Sequence, residues 1–167
     1  MRRLFIADLH LHPARPEHSR ALIDFCQQRI NANDELYILG DLFETWIGDD
    51  VGIITYADVI ACLKQLTNSG TKVYFMAGNR DFLIGQEFSQ ATGITLLPDP
   101  SLVMFDEKAV LLMHGDTLCT DDEDYQQFRH LVRSARWQTD FLAQPPALRM
   151  QQAAEYRQQS QAMTALK

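Results

Sequence analysis

Residues 36–41, Leu36-Tyr37-Ile38-Leu39-Gly40-Asp41, form a short apolar run that ends in a glycine and a carboxylate. The run reads as a buried strand, and the glycine lets backbone come close to whatever Asp41 holds. The same design recurs in both directions along the chain. Upstream, Leu4-Phe5-Ile6-Ala7 leads into Asp8-Leu9-His10. Downstream, Val73-Tyr74-Phe75-Met76-Ala77 leads into Gly78-Asn79-Arg80-Asp81, and Val110-Leu111-Leu112-Met113 into His114-Gly115-Asp116. Helix-period segments lie between them: residues 16–30 with Pro16 in the first turn, 53–69 closed by Gly70, and 81–92 stopped by Gly93. Further strands read at 94–97, 101–105 and 109–113, the last two joined by a hairpin turn at 106–108. Strands alternating with helices predict an α/β layered fold whose parallel strands bring their carboxyl ends to one edge.

The 167 residues suit one domain burying roughly 70% of its unfolded surface. The composition, 46% hydrophobic and 22% charged, is that of a globular protein and excludes fibrous and disordered classes. A net charge of −7 has the wrong sign for a protein whose main partner is nucleic acid. That charge is divided unevenly, with −11 over residues 1–127 and +4 over 128–167. Cys26, Cys62 and Cys119 are odd in number and widely spaced, which suggests a reducing, cytoplasmic setting. No apolar run is long enough to span a bilayer, and the N-terminus reads as a strand rather than a signal peptide. After residue 120 the strand pattern stops. Helices are predicted at 121–135 and, after Pro145-Pro146, at 147–167, the last with few large apolar residues to anchor it.

Each strand-end cluster has an ordinary reading when taken singly. Asp8-Leu9-His10 could be a polar strand end, Gly40-Asp41 a turn, Asp81 a helix N-cap and His114 a satisfied interior group. Taken together they point to one cause. In extended backbone Asp8 and His10 face the same side and can chelate one ion. Asp8, His10 and Asp41 could hold one cation and Asp41, Asn79 and His114 a second, with Asp41 shared. Oxygen and imidazole donors without thiolate favour Mn²⁺, Fe²⁺ or a similar ion over structural zinc. Two such cations acidify water and bind phosphoryl oxygens, the chemistry of phosphoester hydrolysis. Arg80 adds an always-charged fork suited to phosphate.

These blocks resemble those of the calcineurin-like metallophosphoesterases, which implies a β-sandwich flanked by helices with a helical insertion or lid. Arg80, where most of that superfamily has histidine, and the strings at 39–50 and 114–122 resemble in particular the UDP-2,3-diacylglucosamine hydrolase family of lipid A biosynthesis. That resemblance implies Mn²⁺-dependent cleavage of the pyrophosphate of UDP-2,3-diacylglucosamine to 2,3-diacylglucosamine 1-phosphate and UMP. It places the reaction at the cytoplasmic face of the inner membrane, with the protein bound peripherally. It also implies that Asn79 and Arg80 grip the substrate phosphates catalytically and that Asp122, Ser160, Thr164 and Lys167 contact substrate. The domains it implies are a metallophosphoesterase core at 1–120 and a helical lid at 121–167.

Arg129, Arg133 and Arg136 are spaced for one helical side beside Trp137, Phe141 and Leu142, a pattern that suits a lipid-facing lid. An ordinary basic face with Trp137 and Phe141 in the core fits the same spacing. Members of the family continue beyond this length to a Gly-His-x-His block that completes both metal sites. This chain has no histidine after His130, so each ion is expected to lack one ligand. His12 and His18 read as surface residues that do not substitute. An exposed sheet edge or apolar face is expected where the closing strands would pack. The alternatives to the hydrolase are a di-metal phosphodiesterase of other nucleotides or phosphoproteins, and a truncated fragment that binds metal or substrate without turnover.

Overall fold

The computed structural model describes residues 1–165, with side chains through Ser160. Four strands, β1 (Arg3–Ile6), β2 (Glu35–Leu39), β3 (Lys72–Met76) and β4 (Thr95–Leu97), form a parallel sheet in that order. Phe5, Tyr37 and Tyr74 lie in register across it, as do Ile6, Ile38 and Phe75. Because side chains alternate along a strand, these two rows face opposite sides. Leu36, Ile38, Val73 and Phe75 pack into the main core with α1 (Pro16–Arg29), α2 (Asp49–Thr55), α3 (Ala57–Asn68) and α4 (Gln86–Thr92). Burying one such side chain stabilises the fold by about 1.5–3 kcal/mol.

The opposite face carries a stacked row, with ring centroids 5.1 Å apart for Phe5–Tyr37 and 4.6 Å for Tyr37–Tyr74. Against it packs the antiparallel hairpin of β5 (Ser101–Phe105) and β6 (Lys108–Leu112), through Val103, Phe105, Val110 and Leu112. Two sheets with helices outside agree with the expected architecture. The hairpin's outer face exposes Leu102, Met104 and Leu111, the kind of apolar surface anticipated from sequence.

The block ending in His114 follows β6, so it comes from the second sheet and not from the parallel one. The apolar run at 110–113 gives no sign of which sheet it joins. The helix expected at 53–69 is two helices broken at Tyr56, whose buried ring packs on Phe43 at 4.4 Å and whose hydroxyl donates to the Leu11 carbonyl. The helix expected from Asp81 starts at Gln86. Its first turn is capped by a carboxylate from another helix, Asp49, which accepts from the Gly85 and Phe88 amides.

Three further helices follow: α5 (Glu123–Val132), α6 (Ala135–Leu142) and α7 (Pro146–Ala165). The single helix expected at 121–135 ends at Val132, and Ser134 caps α6 by accepting from the Trp137 amide. Leu148 and Met150 of α7 are exposed. A polar residue seats its first turn, while Ala153 and Tyr156 pack farther along. Arg149, only 2% exposed, pairs with Asp50 through both terminal nitrogens and donates to the Ile47 carbonyl. Among the described residues no helix is long and apolar enough to cross a membrane, and all three cysteines are free thiols.

Candidate functional site

Two loops lie side by side beyond the carboxyl ends of β1 and β2. The Asp8 amide donates to the Gly40 carbonyl, the His10 amide to the Asp41 carbonyl and the Leu11 amide to the Leu42 carbonyl. This zipper turns Asp8, His10 and Asp41 to one point, where one donor atom from each lies within 4.8 Å of the others. The spacing argument gave the right neighbours by the wrong route. Strand β1 ends at Ile6, and Asp8, His10 and Asp41 all have left-handed backbone, with φ of 56°, 49° and 53°. Three non-glycine residues in that region are strained, and strain of this kind gathers at functional sites.

The Asp41 carboxylate, 3% exposed, lies at the centre. Its Oδ2 is 3.8 Å from His10 Nε2 and its Oδ1 is 3.8 Å from His114 Nε2. The Arg80 amide also donates to Oδ1, at 2.8 Å. Gly78 makes this approach feasible, since a Cβ there would come within 2.1 Å of Asp41 Oδ1. Gly40, at φ +94°, leaves the space that the His114 ring fills. His114 Nδ1 lies 2.9 Å from the Leu39 carbonyl. A carbonyl can only accept, so Nδ1 carries the proton and Nε2 presents a lone pair. That lone pair faces Asn79 Oδ1 at 3.2 Å.

A ring nitrogen, an amide group and a carboxylate converging on one point are donor types that a divalent cation takes. The donor chemistry therefore fits a divalent metal, both at Asp8–His10–Asp41 and at Asp41–Asn79–His114. The electrostatics agree. Burial raises the Asp41 carboxyl above its ordinary value, against the Arg80 amide and the nearby His114, His10 and Arg80. Burial, followed by the Asp41 charge, pushes Asp81 up to about 7, while backbone amides pull it back. Asp81 is fully buried and accepts from the amides of Asp41, Leu42, Phe43 and Gly78. It clasps the two ligand-bearing loops together and does not cap a helix.

Beside this cluster opens a cavity of about 470 Å³. Its apolar wall includes Phe82, Phe128, Trp137, Phe141 and Tyr156, and its polar rim includes Asn79, Arg80, Asp122, Arg157 and Ser160. Trp137 and Phe141 stack at 4.7 Å, and Phe128 and Tyr156 meet at 5.2 Å. Asp122 also caps α5 by accepting from the Tyr125 amide. The Thr164 side chain and Lys167 lie outside the described residues.

The three arginines expected on one helical side do not share it. Arg136 is solvated on α6, whereas Arg129 bridges Asp99 and Asp116 and Arg133 donates to the Gly78 carbonyl. Phe141 is in the core, Trp137 packs against it, and Leu142 is exposed. His12 and His18 are half-buried and distant from the cluster in role, His12 Nδ1 accepting from the Ala14 amide. Glu44 and Arg157 reach the site without any local sequence signal.

The Asp99–Arg129–Asp116 bridge makes stability depend on pH. Burial raises the Asp116 carboxyl, but hydrogen bonds from Arg129 and Tyr125 outweigh it and the net shift is downward. A carboxyl lower in the folded than in the unfolded state stabilises above its ordinary value of 3.8, and that contribution is lost as pH falls through the lowered folded value. Arg129→Leu should therefore destabilise the chain most at neutral pH, with the gap to wild type narrowing below about pH 4. Urea unfolding at pH 7 and pH 3.5 measures it.

Residues 1–160 match the family model described as calcineurin-like phosphoesterase. The chain is 47% identical over 160 residues to a UDP-2,3-diacylglucosamine hydrolase of Chromohalobacter salexigens, covering 96% of this chain and 65% of that protein. It is 50% identical to the protein of that name in Xanthomonas oryzae, covering 97% and 66% respectively. Against that of Cellvibrio japonicus it is 46% identical, covering 100% and 70%. The chain thus spans about two thirds of the length of these curated relatives. Its fold is similar to the crystal structure of a protein of unknown function from Aquifex aeolicus, with a TM-score of 0.50, 18% identity and coverage of 79% and 72%. A family match over residues 1–160, with loops that gather Asp8, His10 and Asp41 to one point, places this chain in the calcineurin-like phosphoesterase family.

Proposed function

We propose that this chain hydrolyses the pyrophosphate of UDP-2,3-diacylglucosamine, releasing UMP and 2,3-diacylglucosamine 1-phosphate. The observation that carries the reading is the juxtaposition of a cation-fitting cluster, an arginine-bearing rim and a deep aromatic cavity. A pyrophosphate with two acyl chains makes use of all three together, whereas a phosphoprotein or a simple phosphodiester brings no acyl chain to the apolar wall. The names of the similar proteins support the same substrate.

Family membership implies a divalent metal. In this reading Asp8, His10 and Asp41 hold one Mn²⁺, and Asp41, Asn79 and His114 hold a second. When bound, the ions supply Lewis acidity toward phosphoryl oxygens and acidify water. Arg80 and Arg157 stand at the rim, where their guanidinium groups bind pyrophosphate oxygens in charge-assisted pairs. Phe82, Phe128 and Trp137 take acyl chain and keep water from that side. Asp122, Ser160, Thr164 and Lys167 contact the sugar nucleotide, residues 1–120 form the catalytic core, and 121–167 form the lid. A substrate with two acyl chains resides in a bilayer, so the protein works peripherally on the cytoplasmic face of the inner membrane.

The test is UMP release from UDP-2,3-diacylglucosamine by the 167-residue chain with Mn²⁺ and with a chelator. Release that depends on Mn²⁺ is expected. Faster turnover of a simple aryl phosphodiester than of the acylated sugar nucleotide, or no release at all, overturns the reading.

A further inference from the structure

Asn79 and His114 come from different sheets. Asn79 follows β3 of the parallel sheet and His114 follows β6 of the hairpin, and among the described residues no backbone hydrogen bond joins 77–81 to 113–118. Packing of Tyr37, Met76 and Leu112 holds the two sheets together, but apolar contact is non-directional and does not fix how one loop sits along the other. The directed contacts come from α5. Tyr125, Arg129 and Arg133 stand four residues apart and share one side of that helix. Arg129 donates to Asp116 Oδ2 at 2.8 Å and to Asp99 Oδ2 at 3.1 Å, while Asp99 Oδ1 accepts from the His114 amide at 3.2 Å. The Tyr125 hydroxyl donates to the same Asp116 oxygen at 2.6 Å. One turn on, Arg133 donates to the Gly78 carbonyl at 3.0 Å and to the Ala77 carbonyl at 3.4 Å. The Gly78 carbonyl shares its peptide plane with the Asn79 amide, so this bond holds the backbone from which the Asn79 side chain leaves.

We propose that Arg129 and Arg133 are positioning residues that clamp the His114 and Asn79 loops to one side of α5, so that a helix walling the cavity also sets Asn79 against His114. The two side chains meet where the clamped loops meet, with Asn79 Oδ1 and His114 Nε2 3.2 Å apart. Arg133 is drawn in for this purpose: its side chain is 21% exposed, against 94% for Arg136. A guanidinium taken out of water is costly unless its donors are met. Two backbone carbonyls meet it here, and the Phe82 ring lies 5.8 Å away. Groups that orient a metal ligand from behind commonly change cation affinity by about 10–100-fold. That consequence rests on the two-cation reading, whereas the clamp itself does not.

The experiment uses the isotope-labelled 167-residue chain with Arg133→Met, Arg133→Lys and Asp99→Ala. In the metal-free protein, nuclear Overhauser cross-peaks between the Asn79 side-chain amide and the carbon-bound His114 ring protons report the juxtaposition. They should be present in wild type, lost in Arg133→Met and in Asp99→Ala, and partly recovered in Arg133→Lys, whose ammonium still donates to a carbonyl. Their absence from wild type overturns the proposal. Unchanged cross-peaks in Arg133→Met overturn the Asn79 arm, and in Asp99→Ala the His114 arm. Should Arg133→Met fail to fold, Arg133→Gln, polar but too short to reach Gly78, carries the measurement to the same two outcomes. Titration with Mn²⁺ then separates positioning from general support. Arg133→Met should weaken the Asn79–His114 position by about 10–100-fold and spare Asp8–His10–Asp41, and equal weakening of both overturns the proposal. A wild-type chain that takes up no Mn²⁺ would sink the two-cation reading and leave the cross-peak outcomes to decide the clamp.

Discussion

Asp41→Ala is expected to abolish hydrolysis and to loosen both cation positions at once. Removal of several kcal/mol of transition-state stabilisation corresponds to a loss of about 10³-fold or more. Its two oxygens face opposite ways, Oδ2 toward His10 and Oδ1 toward His114. A carboxylate so placed belongs to two donor sets, and no other described side chain touches both histidines. Asp8→Ala or His114→Ala should each weaken one position and spare the other. Asp41→Asn should fall between, because it keeps an acceptor for the Arg80 amide while removing the charge. The measurement is Mn²⁺ stoichiometry after dialysis, alongside UMP release, with circular dichroism to show that the fold persists. A stoichiometry equal to wild type would refute the shared role. Burial raises the Asp41 carboxyl, so cation binding at fixed Mn²⁺ should weaken as pH falls toward that raised value.

That carboxylate could be found in the sequence because Gly40-Asp41 follows a four-residue apolar run, and strand ends are where side chains converge. What could not be read is how the convergence is achieved. Left-handed backbone at Asp8, His10 and Asp41 has no local cause. It is imposed by amides that bond across to a loop some 30 residues away. Gly78 carried a legible signal, a glycine before Asn79, but its purpose, room for the Asp41 side chain, appears only when both loops are present. His114 was legible as a ligand type after an apolar run, yet the same run suits a parallel strand or a hairpin arm, and it is the latter. The arginine spacing over 129–136 assumed one unbroken helix. The helix ends at Val132 and Ser134 starts the next, while Asp99 and Asp116, distant in sequence, draw Arg129 inward. Glu44 and Arg157 lie 113 positions apart, so periodicity could not join them.

Arg80→Ala is expected to lose turnover by about 10²–10⁴-fold while retaining its cations. The backbone at this position is fixed independently of the side chain: its amide donates to Asp41 and its carbonyl accepts from the Trp46 amide. Truncation therefore removes the guanidinium and leaves the loop that presents Asn79 in place. The side chain is 29% exposed and reaches the cavity rim, with its nearest counter-charge, Glu44, at 4.0 Å. At that distance the fork is not consumed by an internal salt bridge and remains available to a phosphate. A hydrogen bond to a charged group contributes about 1.5–3 kcal/mol, and two made together by a planar fork account for the predicted range. Arg80→Lys should recover only part of it, since an ammonium restores charge without the paired geometry. UMP release and Mn²⁺ content, measured on the same preparation, separate the outcomes. Lost turnover with full metal assigns Arg80 to the substrate, whereas lost metal would make it a prop for Asp41 and Asn79 and remove the main reason for placing pyrophosphate at this rim.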